Sequence, residues 1–190
     1  MPTPVPRLRL VPLDESDEAL LLATARGERA AFRQFADRHA RRLRAFCARH
    51  VADASVAEDL AQDVLVTVWE ARASFKGGDA VAWLYTLALN RCRKHLRSWK
   101  RWLRLTREPV VPPSPPPSPL DAVEQVALTA AVSAAVDTLP PGQREALALR
   151  FEAQLDYRAV GEVLGCSEGA ARARTFEAIR TLRATFQEAP

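Results

Sequence analysis

The chain has 190 residues, 48% of them hydrophobic, and carries a formal net charge of +4 at pH 7. That length supports one or two small hydrophobic cores in a globular protein. No apolar run approaches the roughly 18 residues of a membrane helix, and the start Met1-Pro-Thr-Pro-Val-Pro6 lacks the apolar core of a secretion signal. These features predict a soluble protein located in the cytoplasm.

The three cysteines, Cys47, Cys92 and Cys166, are isolated in sequence, with no C-x-x-C pair and no histidine at ligand spacing. Neither a disulfide framework nor a zinc site is predicted, and each cysteine is expected to pack as a small apolar side chain. The sequence also lacks a recognisable nucleophile and base pair, metal constellation or phosphate loop. We therefore predict no cofactor, no metal and no enzymatic activity.

Charge is distributed unevenly along the chain. Residues 1–108 hold 20 Lys and Arg against 13 Asp and Glu, whereas residues 109–190 hold 7 against 10. A contact with a polyanion is therefore expected mainly in the first half.

Residues 1–14 are proline-rich and are predicted to be a disordered extension. Ser16 or Asp17 can cap a first helix that runs to Arg26, and a second helix is predicted from about Glu28 to His50. His39 and His50 are expected at the edge of its apolar face rather than as metal ligands.

The third predicted helix begins with Ser55-Val-Ala-Glu58, which has the pattern of a capping box. Its apolar stripe is Val56, Leu60, Val64 and Val68, and its opposite face carries Asp59, Gln62, Asp63 and Glu70. No Lys or Arg lies between His50 and Arg72. This acidic face could serve solubility alone, or it could dock a partner. We prefer docking, because complementary charge sets the orientation and choice of a partner.

A loop, Ser74-Phe-Lys-Gly-Gly-Asp79, leads into the most informative stretch, residues 80–107. At about 100° per residue, its apolar side chains share one arc and its cations share the other. Residues 91–107 contain eight Lys or Arg and no Asp or Glu. Aromatic residues accompany the cations, namely Phe75, Trp83, Tyr85, Trp99 and Trp102.

A basic helix can be a solvated surface, but solvated faces usually interleave both signs of charge. Phosphates bind Arg and Lys, and unstacked bases bind aromatic rings. The stretch therefore favours a face that binds single-stranded or melted nucleic acid, and the loop with Phe75 and two glycines suits a base pocket.

Residues 109–119 are dominated by proline and are predicted to be an extended linker between residues 15–108 and 120–187. In the second part, a helix is predicted to begin at Ser118-Pro119 and to end before Leu139-Pro-Pro-Gly142. Another helix is predicted from about Gln143 to Phe151. Tyr157–Leu164, a turn at Gly165-Cys-Ser167 and a helix from Glu168 to about Phe186 give a helix-turn-helix pattern. Ser167 is expected to cap the last helix, whose first turns carry Arg172 and Arg174.

Taken in order, several motifs resemble the extracytoplasmic-function (group IV) sigma factors of the sigma-70 family. They are Ala57-Glu-Asp-Leu-Ala-Gln-Asp63, the Phe75 loop, Ala82-Trp-Leu-Tyr-Thr-Leu-Ala-Leu-Asn90, the linker, Leu139-Pro-Pro and the terminal helix-turn-helix. The resemblance covers about residues 15–186. It implies an all-α fold of two small helical domains, the second a tetrahelical or winged-helix-like helix-turn-helix domain.

The resemblance also implies partners. The acidic helix would dock on the β′ clamp helices of core RNA polymerase through Asp59, Gln62 and Asp63, and the β flap would be a further contact. The loop and the basic helix would open the promoter minus-10 element and hold a flipped base. The residues involved would be Phe75, Lys76, Trp83 and Asn90, with Arg93, Lys94, Arg97 and Arg101 from the basic stripe. The last helix would read the minus-35 element through Ser167, Arg172, Arg174 and Phe176.

Some residues depart from the family pattern. Lys94 stands where an acidic residue is common, and Ala159-Val-Gly161 replaces the usual Glu-Ile-Ala. Ala170 and Ala173 remove hydroxyls that would bind phosphate, and Glu177 stands where the family usually has a cation. We therefore expect weak minus-35 binding.

The prediction is a sigma factor that binds core RNA polymerase and promoter DNA, with an anti-sigma factor as a possible further partner. One alternative is a polymerase-independent helix-turn-helix regulator, which would not need the acidic helix. The other is a sigma-like interaction protein that does not open DNA, which would not need Asn90 and the aromatics. The chain has both sets of features, which favours the sigma factor.

Overall fold

The computed structural model describes residues 15–51, 53–106 and 131–187, and within these ranges the regular structure is helical. The first part forms α1 (Asp17–Ala25), α2 (Arg29–Ala48), α3 (Ala54–Ala71) and α4 (Ala80–Thr106), with a 3-10 turn at Arg72–Ser74. The second part forms a helix over residues 131–138, here α5, then α6 (Pro141–Phe151), α7 (Tyr157–Leu164) and α8 (Glu168–Gln187). The all-α prediction is confirmed. The predicted extension, the linker and the Ser118-Pro119 cap lie outside the described residues.

Local caps set where the first helices begin and end. Of the two predicted caps of α1, Ser16 is the one observed, and its hydroxyl accepts a hydrogen bond from the Ala19 amide. Gly27 has φ +91° immediately after α1, a left-handed conformation that glycine adopts without strain. This residue separates α1 from α2, in agreement with the helix ends predicted at Arg26 and Glu28.

The predicted capping box of α3 is wrong. The helix begins at Ala54, and Asp53 is its N-cap, accepting from the amides of Ser55 (2.7 Å) and Val56 (3.2 Å). Hydrogen bonds to its carboxylate, that of the Ser55 hydroxyl foremost, lower the pKa of Asp53. Glu58 points elsewhere, because its carboxylate lies 2.6 Å from the Arg44 guanidinium.

The core of the first domain lies between α2, α3 and α4. Its large buried side chains include Phe35, Leu43 and Phe46 of α2, Val64 and Val68 of α3, and Leu84 and Tyr85 of α4. Buried residues recur every three or four positions along these helices, for example at 35, 39, 43 and 46 in α2 and at 84, 88 and 92 in α4, which explains why the segments form helices that pack on one another. The prediction for the histidines needs correction, because His39 and His50 are buried, at 3% and 8% exposure, and do not lie at the edge of the apolar face. Cys47 and Cys92 are buried free cysteines, as predicted, and their sulfur atoms lie 4.0 Å apart.

In the second domain, Pro141 occupies the first turn of α6, where a missing amide hydrogen costs nothing. The turn between α7 and α8 requires two glycines for different reasons. Gly165 has φ +67° at the end of α7, and a Cβ atom at Gly161 would lie 2.7 Å from the Cys166 carbonyl oxygen. Gly161, which departs from the family pattern, therefore allows the close approach of the turn to α7.

The two domains pack against each other. Helix α4 contacts α7, and the buried apolar side chains of both domains form one continuous cluster. Ion pairs join the same surfaces, with Arg49 2.8 Å from Glu152 and Arg93 2.7 Å from Glu145. No helix among the described residues is long and apolar enough to span a membrane.

Candidate nucleic-acid and docking surfaces

One face of α4 carries an unneutralised row of cations. Asn90, Lys94, Arg97, Arg101 and Arg104 are exposed and, at about 100° per residue, fall within an arc of about 80°. None of the four cations has an ion-pair partner among residues 15–51, 53–106 and 131–187. We call these five residues the basic face. Because like charges stacked along a helix cost stability, the face is suited to an external polyanion.

Trp83 lies on the line of the basic face, seven residues before Asn90 and thus about 10 Å away along the helix axis. Its ring is partly exposed and packs against Phe75, with centroids 5.5 Å apart. Asn90 is exposed and offers amide donors and an acceptor to the edge of a base. An aromatic plane and a hydrogen-bonding amide therefore stand on the same face as the cations.

Phe75 does not offer the stacking surface that the sequence suggests. Its side chain is only 4% exposed and packs against the Trp83 ring from the protein interior. The rest of the loop is open, because Lys76 is exposed and Gly77 and Gly78 have φ values of +108° and +101°. The Gly78 amide donates to Glu18 Oε1 at 2.8 Å, so α1 fixes the loop beside the start of α4.

Two other cations of α4 are paired. Arg91 lies 3.1 Å from Asp63 of α3. Arg93, which flanks the basic face, donates from Nε and Nη2 to the two carboxylate oxygens of Glu145 at 2.8 and 2.7 Å. The hydrogen bonds to Glu145 raise the pKa of Arg93. Arg93 is thus held by the second domain in this structure.

Trp99 and Trp102 lie on the other side of α4 from Asn90, by about 180° and 120° around the axis. Their rings stack with centroids 5.0 Å apart, and the side chains are 44% and 42% exposed. They continue the apolar stripe of the helix beyond the core. These two rings therefore do not share a surface with the basic face, although they are close to it in sequence.

The acidic residues of α3 form a compact surface. Asp59, Gln62, Asp63, Val66 and Glu70 are all exposed and lie within about 100° of one another around the helix. We call them the acidic face. In space it is less free of counter-charges than the sequence suggests, because Arg91 contacts Asp63 and Arg44 contacts the adjacent Glu58. Asp59 has no ion-pair partner among the described residues.

Val66 lies in the middle of the acidic face with 54% of its side chain exposed. An apolar side chain surrounded by polar groups is the usual anatomy of a docking surface. Sequence reasoning missed Val66, but the helical spacing from Asp59 and Asp63 could have identified it.

The helix-turn-helix prediction is confirmed in α7, the turn and α8. The Ser167 hydroxyl caps α8 by accepting from the Ala170 amide at 3.2 Å. Arg172 and Phe176 are exposed, and Arg172 is paired with Glu168 at 3.0 Å. Arg174 lies about 200° around the helix from Arg172, where it contacts the Cys166 sulfur at 3.6 Å. The two arginines therefore flank α8 on opposite sides.

Sequence reasoning also missed Tyr157, the first residue of α7. Its ring lies 5.0 Å from the guanidinium of Arg172 and 5.1 Å from that of Arg150, and Phe176 stacks on it at 6.5 Å. No sequence spacing indicates these contacts, because they join three helices. The aromatic ring links α7 to the outward side chains of α8.

Comparisons with known proteins agree with this geometry. Residues 35–102 match the family model of sigma-70 region 2, and residues 135–184 match that of sigma-70 region 4. The first match contains the acidic face and all of the basic face except Arg104, and the second contains α7, the turn and α8 as far as residue 184.

Two relatives cover nearly the whole chain. The RNA polymerase sigma factor CarQ of Myxococcus xanthus is 30% identical over 85% of this chain and 92% of its own length. The ECF RNA polymerase sigma factor SigM of Mycobacterium tuberculosis is also 30% identical, over 85% of this chain and 80% of its own length.

Two solved structures have the same fold. CnrH, in complex with the cytosolic domain of CnrY, superposes with a TM-score of 0.72 at 23% identity, covering 93% of this chain and 100% of that one. The sigma factor RpoE in complex with the anti-sigma factor NepR from Bartonella quintana gives 0.68 at 25% identity, covering 84% and 98%. The chain belongs to the sigma-70 family of RNA polymerase sigma factors, in its extracytoplasmic-function group, and its function is in transcription initiation.

Proposed function

We propose that this sigma factor binds core RNA polymerase through the acidic face of α3 and opens promoter DNA along the basic face of α4. The observation that carries the proposal is the alignment on one helical face of Trp83, Asn90 and four cations that have no ion-pair partner within the part of the chain that the structure describes. Cations bind the phosphates of paired and unpaired DNA alike. An aromatic ring and an amide, by contrast, can hold a base only after it has left the base stack. The combination suits a strand that is being separated from its complement.

The chemistry of opening follows from these groups. Lys94, Arg97 and Arg101 would each neutralise a phosphate and release a counterion, which makes binding strongly dependent on salt. Trp83 would stack on the displaced base, and Asn90 would hydrogen-bond to its edge. Lys76 in the adjacent loop would add a phosphate contact. Phe75 supports Trp83 rather than touching DNA.

The second domain would bind the duplex upstream, at the minus-35 element. The N-terminal turns of α8 present Arg172 and Phe176, which suit a guanine edge and a thymine methyl group, and Ser167 and Arg174 would contact the backbone. Ala170 and Ala173 offer no hydroxyl, so the number of phosphate contacts would be small.

Docking would place these surfaces on the polymerase. Asp59, Gln62 and Asp63 would face basic groups of the β′ clamp helices, with Val66 as the apolar centre, and the second domain would contact the β flap. An anti-sigma factor would be an antagonist of these contacts. The protein would act in the cytoplasm as an initiation factor and not as an enzyme.

The test is run-off transcription with purified core polymerase on genomic promoter fragments. Transcripts with defined starts should require the protein. Asn90→Ala should reduce them on duplex templates, and a template with a pre-melted minus-10 region should restore them. Ser98→Ala, at an exposed position of the same helix, is the matched control and should transcribe normally.

An N90A protein that transcribes a duplex normally would remove Asn90 from the opening step. Absence of any defined start with the unaltered protein, despite its co-purification with polymerase, would favour an interaction protein that does not open DNA.

A further inference from the structure

The contact between Arg93 and Glu145 joins a cation that flanks the basic face of α4 to a carboxylate of the second domain. Two hydrogen bonds, of 2.8 and 2.7 Å, connect the guanidinium to both oxygens of Glu145. Glu145 is only 9% exposed, while the Arg93 side chain is 37% exposed. A guanidinium binds a carboxylate and a phosphate by the same two-point geometry. Glu145 therefore occupies Arg93 in the way that a phosphate of DNA would.

This pair is part of an extended domain interface. Arg49, the residue after α2, contacts Glu152 after α6 at 2.8 Å. Arg158 of α7 lies 3.8 Å from Asp79, which caps α4 by accepting from the amides of Val81 and Ala82. The apolar core continues from one domain into the other. The interface is thus built from ion pairs around an apolar centre, which is the composition of a specific contact.

The docked arrangement is too compact for both promoter elements. Arg174 of α8 packs against Gly142, one turn of α6 before Glu145, so the side chains of Arg93 and Arg174 lie within roughly 20 Å of each other. The minus-10 and minus-35 elements are about 25 base pairs apart, or about 85 Å along B-DNA. One protein molecule in this arrangement cannot hold both elements.

We propose that Glu145 is an internal phosphate mimic, and that domain docking through it competes with promoter DNA for the minus-10 surface. The proposal rests on the function proposed above, because Arg93 flanks the basic face along which DNA would be opened. In the docked state the second domain occupies Arg93 and keeps the two DNA-reading helices together. DNA, or the polymerase that positions the domains on it, must displace Glu145 before initiation.

Domain docking should weaken DNA binding by an amount set by the population of the undocked state. If the undocked state is a fraction f of the free protein, the apparent association constant for DNA is the intrinsic constant multiplied by f. Weakening the interface should raise f and so tighten DNA binding, without any new contact to DNA. The released Arg93 should also add about one phosphate contact, which steepens the slope of log affinity against log salt by about 0.7 on single-stranded DNA.

The experiment uses the full chain and begins without DNA or polymerase. Small-angle X-ray scattering should give a larger radius of gyration for Glu145→Gln than for the unaltered protein at low salt. Glu152→Gln, which breaks the second ion pair, should expand the protein in the same direction. Glu28→Gln is the matched control, because it removes one carboxylate charge whose partner, Arg26, lies in the same domain. It should leave the scattering unchanged.

The second measurement is binding to a fluorescent single-stranded 20-nucleotide DNA of mixed sequence. Glu145→Gln should bind about 5- to 10-fold more tightly than the unaltered protein if the docked state is populated about 5- to 10-fold over the undocked one. Glu28→Gln should change the affinity less than twofold. The exchange R93E/E145R should restore a compact protein that binds this DNA no better than the unaltered chain, since the ion pair is rebuilt but the cation is lost from α4.

Identical scattering of Glu145→Gln and the unaltered protein would overturn the proposal, whatever the DNA shows. If the Glu145→Gln protein is expanded but its affinity for DNA and its salt slope are unchanged, domain docking does not compete with DNA, and that part of the proposal is wrong. Failure of the protein to start transcripts would count against the proposed function and leave the scattering result standing.

Discussion

The guanidinium of Arg172 lies 5.0 Å from the centre of the Tyr157 ring, and this contact fixes the reading helix to the first helix of its motif. Arg150 contacts the same ring at 5.1 Å, and its Nη1 donates to the Leu155 carbonyl at 2.7 Å. The ring thus holds Arg172 near the outward face of α8 without occupying its hydrogen-bond donors. Glu168 accepts from one of those donors at 3.0 Å, and DNA must compete with it.

Replacing Tyr157 with Leu should lower affinity for a minus-35 duplex about two- to fivefold, because an exposed cation–π contact contributes about 0.5–1 kcal/mol. Tyr157→Phe keeps the ring and should bind like the unaltered protein. Fluorescence anisotropy on promoter and scrambled duplexes measures the loss, and thermal unfolding of both variants shows whether the fold is intact. Equal losses for Leu and Phe would show that the hydroxyl, and not the ring, supports binding.

The acidic face predicts a separable defect in polymerase binding. Asp59→Arg should weaken association with core polymerase about fivefold or more, because it turns one member of a complementary face repulsive. Val66→Asp should weaken it as well by removing the apolar centre. Asp59 is the preferred position, since reversal of Asp63 would also disturb its contact with Arg91.

Asp37→Arg is the control for this comparison, because it makes the same charge change at an exposed position of α2. Competition for polymerase against the labelled unaltered protein gives the relative affinities. If Asp37→Arg and Asp59→Arg compete equally well, the acidic face has no special part in docking.

Periodicity predicted the helices well, because the apolar spacing that buries one face is encoded locally. Tyr157–Leu164 has the predicted bounds, and α4 extends through its predicted basic stretch as far as the described residues reach. The N-cap of α3 was predicted two residues too late, because Asp53 and Ser55 are both good N-caps and residue type alone does not rank them.

The candidate surfaces were predicted less completely, because neighbours in space decide which charged groups are free. Arg93 and Arg97 are equivalent in sequence, yet Arg93 is bound by Glu145, 52 residues away, whereas Arg97 has no ion-pair partner among the residues that the structure describes. Phe75 is a plausible base platform in sequence, but the packing of Trp83 buries it. Contacts between distant elements determine these outcomes, and no local pattern contains them.

The buried histidines predict a loss of stability in acid. Desolvation by burial lowers the pKa of His50 and of His39 from the ordinary value of 6.5. A group whose pKa is lowered by folding binds more protons when unfolded. Its contribution to stability is therefore complete above pH 6.5 and is lost as the pH falls through the lowered folded value.

Urea unfolding should accordingly give a smaller free energy of unfolding at pH 5 than at pH 7.5. Asp17, 3.0 Å from His39 Nε2, partly offsets the desolvation of His39, and the hydrogen bond to the Phe46 carbonyl does the same for His50. In His50→Gln, which cannot titrate, the difference between the two pH values should shrink. A difference as large as that of the unaltered protein would assign the acid sensitivity to other groups.

The last prediction concerns Glu177, whose carboxylate accepts a hydrogen bond from Gln143 Nε2 at 3.1 Å on the exposed side of α8. An acidic group on the helix proposed to read DNA repels phosphate. Glu177→Gln removes that charge and should raise affinity for many duplex sequences with little change in salt slope. Glu177→Arg should raise it further and steepen the slope of log affinity against log salt by about 0.9, the value for one added phosphate contact on B-DNA. Salt titrations of the full chain on promoter and scrambled duplexes separate the two effects. An unchanged slope for E177R, accompanied by altered binding to core polymerase, would assign Glu177 to a protein contact instead of DNA.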